Sequence, residues 1–369
     1  MTKSPFPNII QISSSLDRRL GGPATVVSDT FPFINKKYGS ELIVFGSNNI
    51  IKNALQVSTL FNNRYGLPKS TLKKRISEKL ENADLVLIHG FYLFSTLLAV
   101  SIAKKSRIMI LPHGSLEEYQ QNTGRFRKKV FDWLILKKLG KRNLIFMVTS
   151  NSEALSVDRR FPKSKVLNVG LGITLFQREF VENNKLDSQI SLLSFSRIAT
   201  KKRIDLSIRA VKSLREKGFN YRLEIYGDGE AFLVNKLKTL ASDLDISEFV
   251  KFHGYVQASN FGEVFKNIDI FLLPSENENF AVAVAESIAF GKPVIVSKFV
   301  AMHEFVDKHN AGLTINSLEV DELVTAIEII SKNISSYQKN CISSAPLLAW
   351  DLVIKRWFDA IESNLVENE

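Results

Sequence analysis

Two glutamates, Glu278 and Glu286, bracket an apolar run within "SENENFAVAVAES" (275–287), and Gly291-Lys292-Pro293 follows shortly after. Carboxylates accept hydrogen bonds from sugar hydroxyls, and two of them at this separation can hold two different rings. The segment reads as a strand "IDIFLLP", a loop "SENEN" and a helix "FAVAVAESIAFG" closed by Gly291, a residue suited to the left-handed position after a helix. On this reading Glu278 precedes the helix and Glu286 lies about two turns inside it. The first helical N–H groups, near Phe280 and Ala281, lack partners within the helix and suit a phosphate or a polarised hydroxyl. The plainer alternative is an N-terminal acid favoured by the helix dipole together with an exposed Glu286.

A second constellation lies upstream, in "LLSFSRIATKKRIDLSIRAV": strand, basic loop, helix, with Arg197 five residues before Lys202. Two cations at a strand end fit a diphosphate, the arginine as a planar fork and the lysine as a point charge. A solvated basic turn is the plain alternative.

The elements that position these residues recur along the chain. Short apolar runs, "NIIQIS", "ELIVFG", "DLVLIHG", "RIMILPHG", "LIFMVTS" and "KVLNVG", alternate with longer helical segments. The pattern restarts after the polar stretch 178–189 with "ISLLSFS", "YRLEIYG", "FVKFHG", "IDIFLLPS", "KPVIVS" and "AGLTIN". Strands apolar on both faces alternating with helices predict parallel sheets covered on both sides. The expected fold is α/β: two doubly wound, Rossmann-like domains facing each other across a cleft, spanning 1–175 and 176–369. The last stretch, "LLAWDLVIKRWFDAIESNL", predicts a terminal helix that can pack back on the first domain. In such sheets ligands bind beyond the C-terminal strand ends. The residues there include Gly21-Gly22, His89-Gly90, His113-Gly114, Arg197, Gly227-Asp228-Gly229 and Gly254-Tyr255.

Composition narrows the class. The chain has 369 residues and a net charge of +11. Residues 1–180 hold 28 Lys and Arg against 12 Asp and Glu, while the remainder hold 21 against 26. A basic half joined to an acidic half suggests that one half faces an anionic partner. Cys341 is the only cysteine, which excludes an intrachain disulfide and fits a reducing cytosol. No apolar run reaches spanning length, and the N-terminus enters a strand without the apolar core of a leader.

Together these segments resemble the family 4 glycosyltransferases of the GT-B fold. The resemblance rests on Glu278 and Glu286 within "LPSENENFAVAVAESIAFGKPVIVS", on "SRIATKKRID", "YGDGE", "FHGYV", Gly21-Gly22-Pro23, "PHGSL" and "TSNSEA". It covers nearly the whole chain. It implies transfer from a nucleotide-diphosphate sugar bound to the second domain, with retention of anomeric configuration, no metal and no other cofactor. Carried over, Arg197 and Lys202 bind the diphosphate and stabilise the leaving phosphate. Glu286 accepts the ribose hydroxyls, and Glu278 touches the donor sugar with the backbone of Asn279, Phe280 and Ala281. Gly21 and Gly22 let the backbone approach phosphate, Tyr255 and Val256 flank the base, and His113 lies near the reacting sugar.

The chain departs from the family pattern at four places. Arg203 and Ala281 stand where glycine is usual, the second reading as a mild change. Thr174 takes an aspartate's place before the interdomain link, and Glu276 is an additional acid. A Walker loop, a dinucleotide fingerprint, zinc spacing and a nucleophile elbow are absent from the sequence. The alternatives are a sugar-nucleotide epimerase or phosphorylase-like enzyme on the same fold, and a basic nucleic-acid binder. No recognised nucleic-acid module supports the last.

Residues 125–142, "RFRKKVFDWLILKKLGKR", hold eight Lys or Arg and one Asp. Phe126, Val130 and Leu134 fall on one helical stripe. That stripe either packs on the core or, with Lys73, Lys74 and Arg75, meets an anionic membrane surface. The second reading makes the protein a peripheral one on the cytoplasmic face, working on a glycan or lipid-linked acceptor.

Overall fold

The computed structural model describes residues 7–16, 22–45, 54–57, 70–121, 124–140, 144–175 and 189–365. The chain divides into two compact units. One comprises Met1–Gly172 with Trp350–Glu369, the other Ile173–Ala349. The polar stretch 178–189 lies outside the described residues except at its last position.

In the first unit the described residues form a parallel sheet of β1 (Ile9–Ser13), β2 (Glu41–Phe45), β3 (Ala54–Val57), β4 (Leu85–His89), β5 (Arg107–Leu111), β6 (Ile145–Val148) and β7 (Lys165–Asn168). Their order across the sheet is β3-β2-β1-β4-β5-β6-β7. Every residue of β1 and β4 is buried, as expected of central strands covered on both faces. Ile10, Ile12, Val86 and Ile88 join one apolar cluster. Leu42 and Val44 meet Val27 and Phe31 of the Gly22–Tyr38 helix in another.

The second unit repeats the pattern with β8 (Ile190–Phe195), β9 (Tyr221–Tyr226), β10 (Val250–Gly254), β11 (Ile270–Leu273), β12 (Val294–Ser297) and β13 (Gly312–Ile315). Its order is β10-β9-β8-β11-β12-β13, all pairings parallel. The period-two alternation of strands divides its core. Leu192, Ile270, Leu272 and Ile295 face one cluster, and Leu193, Phe271, Leu273, Val294 and Val296 face the other. In both sheets the winding direction reverses beside the first strand, between β1 and β4 and between β8 and β11. Crevices at such reversal points are where doubly wound sheets bind ligands.

The terminal helix Trp350–Leu365 folds with the first unit. It buries Trp350, Val353, Trp357 and Ile361. Trp357 donates its indole N–H to the Gly170 carbonyl at 3.1 Å. Glu362 accepts from the Tyr38 hydroxyl at 2.9 Å and pairs with Lys37 at 2.6 Å.

Candidate functional site

The reversal point of the second sheet collects the charges picked out in the sequence. Beyond β8 the chain runs through Arg197 into a single 3-10 turn, Thr200–Lys202, then Arg203, and enters the Ile204–Glu216 helix. Beyond β11 it passes through Glu276 and Glu278 into the Val282–Ala289 helix. Hydrogen bonds stitch the two loops together. The Glu276 N–H donates to the Lys201 carbonyl at 2.8 Å, and the Lys201 ammonium donates to the Asn277 carbonyl at 3.0 Å. On its other side Glu278 is held by the segment after β12, donating its N–H to Phe299 at 3.0 Å and accepting from Ala301 at 2.9 Å.

Two glycines let a third loop close in. A Cβ at Gly227 would stand 1.9 Å from the Ser196 carbonyl oxygen, and one at Gly229 would stand 2.4 Å from that of Ile198. No side chain fits at either place, so "YGDGE" is shaped to brace the Arg197 loop. The Ile198 N–H donates to Asp228 at 2.8 Å across that contact.

Glu278 lies at the centre of the site. Its carboxylate pairs with Lys202 at 2.8 Å and with Lys201 at 3.0 Å. Burial alone raises the carboxyl pKa, but Lys202 and Lys201 outweigh it and hold the group below the usual carboxylate range. Burial pushes the Lys202 ammonium down, nearby Lys201 and Arg197 push it further, and Glu278 restores part of the loss. Arg197 is exposed and has no carboxylate partner among the described residues. Two lysines thus share the half-buried Glu278 carboxylate while Arg197 adds its charge beside Lys202, an excess of positive charge in a partly dehydrated place. Such a place attracts a polyanion, because Coulomb terms grow as water is excluded.

Several expectations need correction. The helix after Glu278 begins at Val282 rather than Phe280, so the outward N–H groups are those of Val282 and Ala283, and Glu286 stands about one turn inside. Ala281 is no mild replacement for glycine: its φ is +63°, and Arg203, the other replaced glycine, has φ +50°. Left-handed backbone strains any residue with a Cβ. Arg203 is held there by a two-bond fork to Asp205, both contacts 3.1 Å, with Glu276 at 3.7 Å. That contact gives the additional acid a place. Lys201 belongs to the cluster although spacing alone does not single it out. The signal was the doubled lysine, which a 3-10 turn aims at one carboxylate.

The other candidates are placed as follows. Glu286, Asn279 and Phe280 are half-buried on the same segment. Tyr255 is exposed and Val256 half-buried just beyond β10. Gly22 opens the Gly22–Tyr38 helix after β1, and Gly21 lies outside the described residues. His113 follows β5 in the first unit with φ +52° and a ring 3.2 Å from that of His89. Burial pushes its pKa down to about 4.

On the Arg125–Leu139 helix the Phe126–Val130–Leu134 stripe does not join the core. Phe126 is 79% exposed and Trp133 57%, with Val130 and Leu136 also at the surface. Ile135 and Leu139 face inward instead, with Phe131 against Phe91 and Tyr92. Asp132 pairs with Arg160 and fixes this rotation. Among the described residues no helix is long and apolar enough to cross a membrane.

Residues 176–347 match the family model "Glycosyl transferases group 1". The chain is 27% identical over 271 residues to the amylovoran biosynthesis glycosyltransferase AmsK of Erwinia amylovora, covering 68% of this chain and 62% of that one. It is 26% identical over 229 residues to the alpha-monoglucosyldiacylglycerol synthase of Streptococcus pneumoniae, covering 58% and 52%. It therefore spans less than two thirds of either relative. The crystal structure of Anabaena HepE with UDP and glucose shares the fold at a TM-score of 0.75 and 16% identity, covering 98% of this chain and all of that one.

Proposed function

We propose that this chain, whose residues 176–347 match the group 1 glycosyl transferases, moves a sugar from a nucleotide-diphosphate sugar to a glycan or lipid-linked acceptor. The observation that carries this reading is the pair Lys201 and Lys202 on the carboxylate of Glu278, with the charge of Arg197 beside Lys202. As the bond from the anomeric carbon to the diphosphate breaks, charge grows on the leaving oxygen, and fixed cations stabilise that growth. The acceptor hydroxyl bonds to the same face of the carbon and its proton leaves with the diphosphate, so configuration is retained. The cations do the neutralising here, and no metal takes part.

Lys201 joins Arg197 and Lys202 on the diphosphate. Glu278 orients both lysines and meets the donor sugar together with the Asn279–Ala281 backbone. Glu286 takes the ribose hydroxyls, and Tyr255 and Val256 flank the base. On the first unit, His113 offers a contact for a substrate hydroxyl, and Gly22 opens the helix beyond β1. The UDP in HepE supports UDP as the nucleotide, and the name of AmsK supports a polysaccharide product. The lipid in the name of the synthase, with the exposed basic stripe of the Arg125–Leu139 helix, supports an acceptor anchored in an anionic membrane surface.

The test is incubation of the purified chain with a panel of UDP-sugars and lipid-linked or soluble glycans, with and without a chelator. Sugar transfer that survives chelation and is lost in Arg197→Ala and Lys202→Ala is the expected result. Interconversion of donor sugars without an acceptor, or activity that requires an added divalent ion, would overturn it.

A further inference from the structure

His89 and His113 end neighbouring strands. β4 and β5 pair in a register that sets His89 opposite Leu111, and the Gly90 N–H donates to the Leu111 carbonyl at 2.8 Å. His113 follows two residues later. The two imidazoles lie nearly parallel, 11° apart with centroids 5.4 Å apart, and His89 Nδ1 stands 3.2 Å from His113 Nε2. The turn that carries His113 is braced from below. Buried Glu153 accepts from the Gly114 N–H at 2.5 Å and, through its other oxygen, from the Thr149 N–H at 3.0 Å. The left-handed backbone at His113 is therefore held in place, as strained functional positions require.

Desolvation keeps both rings neutral at ordinary pH, His89 being buried and His113 half-buried. For His89 the chief cause is desolvation, followed by the neighbouring His113; for His113 it is desolvation alone. A neutral imidazole has one N–H and one bare nitrogen, so the short contact needs one proton between the rings. Two arrangements are open. If His113 Nε2 donates, His89 must carry its own proton on Nε2, a buried atom with no hydrogen-bond partner among the described residues. A buried N–H left unpaired is the costlier orphan. If His89 Nδ1 donates, His89 Nε2 is a bare nitrogen, and the proton of His113 stays on Nδ1. His113 is half-buried and its Nδ1 is not among the buried unpartnered atoms, so that proton remains open to water or a ligand.

We propose that His89 is a positioning residue that fixes His113 as its Nδ1–H tautomer, so that His113 offers a hydrogen-bond donor rather than a base. The tautomer stands on the ring geometry and the neutrality of both rings; that its recipient is a sugar oxygen rests on the proposed transferase function. The division of labour follows. A donor at His113 orients a hydroxyl, and the acceptor's proton is left to the departing diphosphate. A side chain that acts through its neighbour's tautomer is a recurrent use of a second histidine nitrogen.

The test is nitrogen-15 NMR of the ring nitrogens in the full chain at neutral pH, in wild type, His89→Asn and His89→Leu. In wild type the proton should be found on Nδ1 of both rings, with His113 Nε2 bare. His89→Asn keeps an N–H donor near the same place and should preserve the His113 pattern. His89→Leu removes the donor, and the His113 proton should shift to Nε2. A wild-type His113 protonated on Nε2, or a pattern indifferent to His89→Leu, would overturn the proposal. If the leucine variant fails to fold, the wild-type spectrum decides by itself. Because no sugar is present, failure of the transferase reading leaves this measurement untouched.

Discussion

At the residue scale the site is a balance of charges. Lys202→Ala leaves Glu278 buried with Lys201 as its remaining ion-pair partner. Losing one charged hydrogen bond costs roughly 1.5–3 kcal/mol, and the variant should unfold at lower denaturant as well as turn over more slowly. Urea titration beside a transfer assay checks both; unchanged turnover would remove Lys202 from the chemistry. Ala281 makes the opposite case. Its φ of +63° costs about 1–2 kcal/mol for a residue with a Cβ, partly offset by the entropy a glycine brings to the unfolded chain. Ala281→Gly should therefore be neutral or stabilising by up to ~1 kcal/mol, seen as an equal or higher Tm. A clear loss would mean that the methyl group's packing outweighs the strain. Arg197, Lys202, Glu278 and Glu286 were legible because charges at strand ends stand out against apolar runs. The strain at Ala281 was not, since alanine carries no sign of its backbone angle.

At the element scale the helices were legible as segments and less so as oriented objects. Phe126, Val130 and Leu134 share a helical stripe, yet so do Phe131, Ile135 and Leu139, and only the second reaches the core. Periodicity cannot choose between two stripes on a helix that is apolar on more than one side. The Asp132–Arg160 pair and the Phe91–Phe131 contact settle it. The outward stripe carries Trp133 with the Lys137 ammonium 4.9 Å over its ring. Lys128 instead turns inward to the Gln120 carbonyl. Binding to a bilayer of anionic lipid should bring about 1 kcal/mol per basic residue at the surface. Co-sedimentation with anionic vesicles should fall in high salt and in the triple variant Lys129→Gln, Lys137→Gln, Lys138→Gln. Equal binding to neutral vesicles, or none to either, would leave the acceptor in solution.

At the scale of the whole molecule the doubled α/β pattern was readable, because buried parallel strands are apolar throughout and the series restarts once. Twelve of the described strands correspond to those runs; β3, four residues with a glutamine among them, gave too short a signal. The return of Trp350–Leu365 to the first unit depends on Trp357 and Glu362 finding partners far away in sequence, which local pattern does not encode. Stability against pH is a property of this scale. His113 titrates near 4 in the folded chain against 6.5 for the free side chain, and His89 is shifted the same way. The unfolded chain therefore takes up protons first as pH falls. Stability is fully present above about 6.5 and declines between there and about 4. The Tm should drop from pH 7.5 to pH 5, and drop less in His113→Asn; a Tm flat across that window would contradict the neutral pair.

The cation cluster at the reversal point of the second sheet is tested most directly by calorimetric titration of UDP into the full chain, beside folded Lys202→Ala and Glu286→Ala. UDP should bind the wild type. Each variant should lose roughly 1.5–3 kcal/mol of binding, the worth of a charged hydrogen bond, or about one to two orders of magnitude in Kd. Binding that is absent from the wild type, or equal in all three, would place the nucleotide site elsewhere.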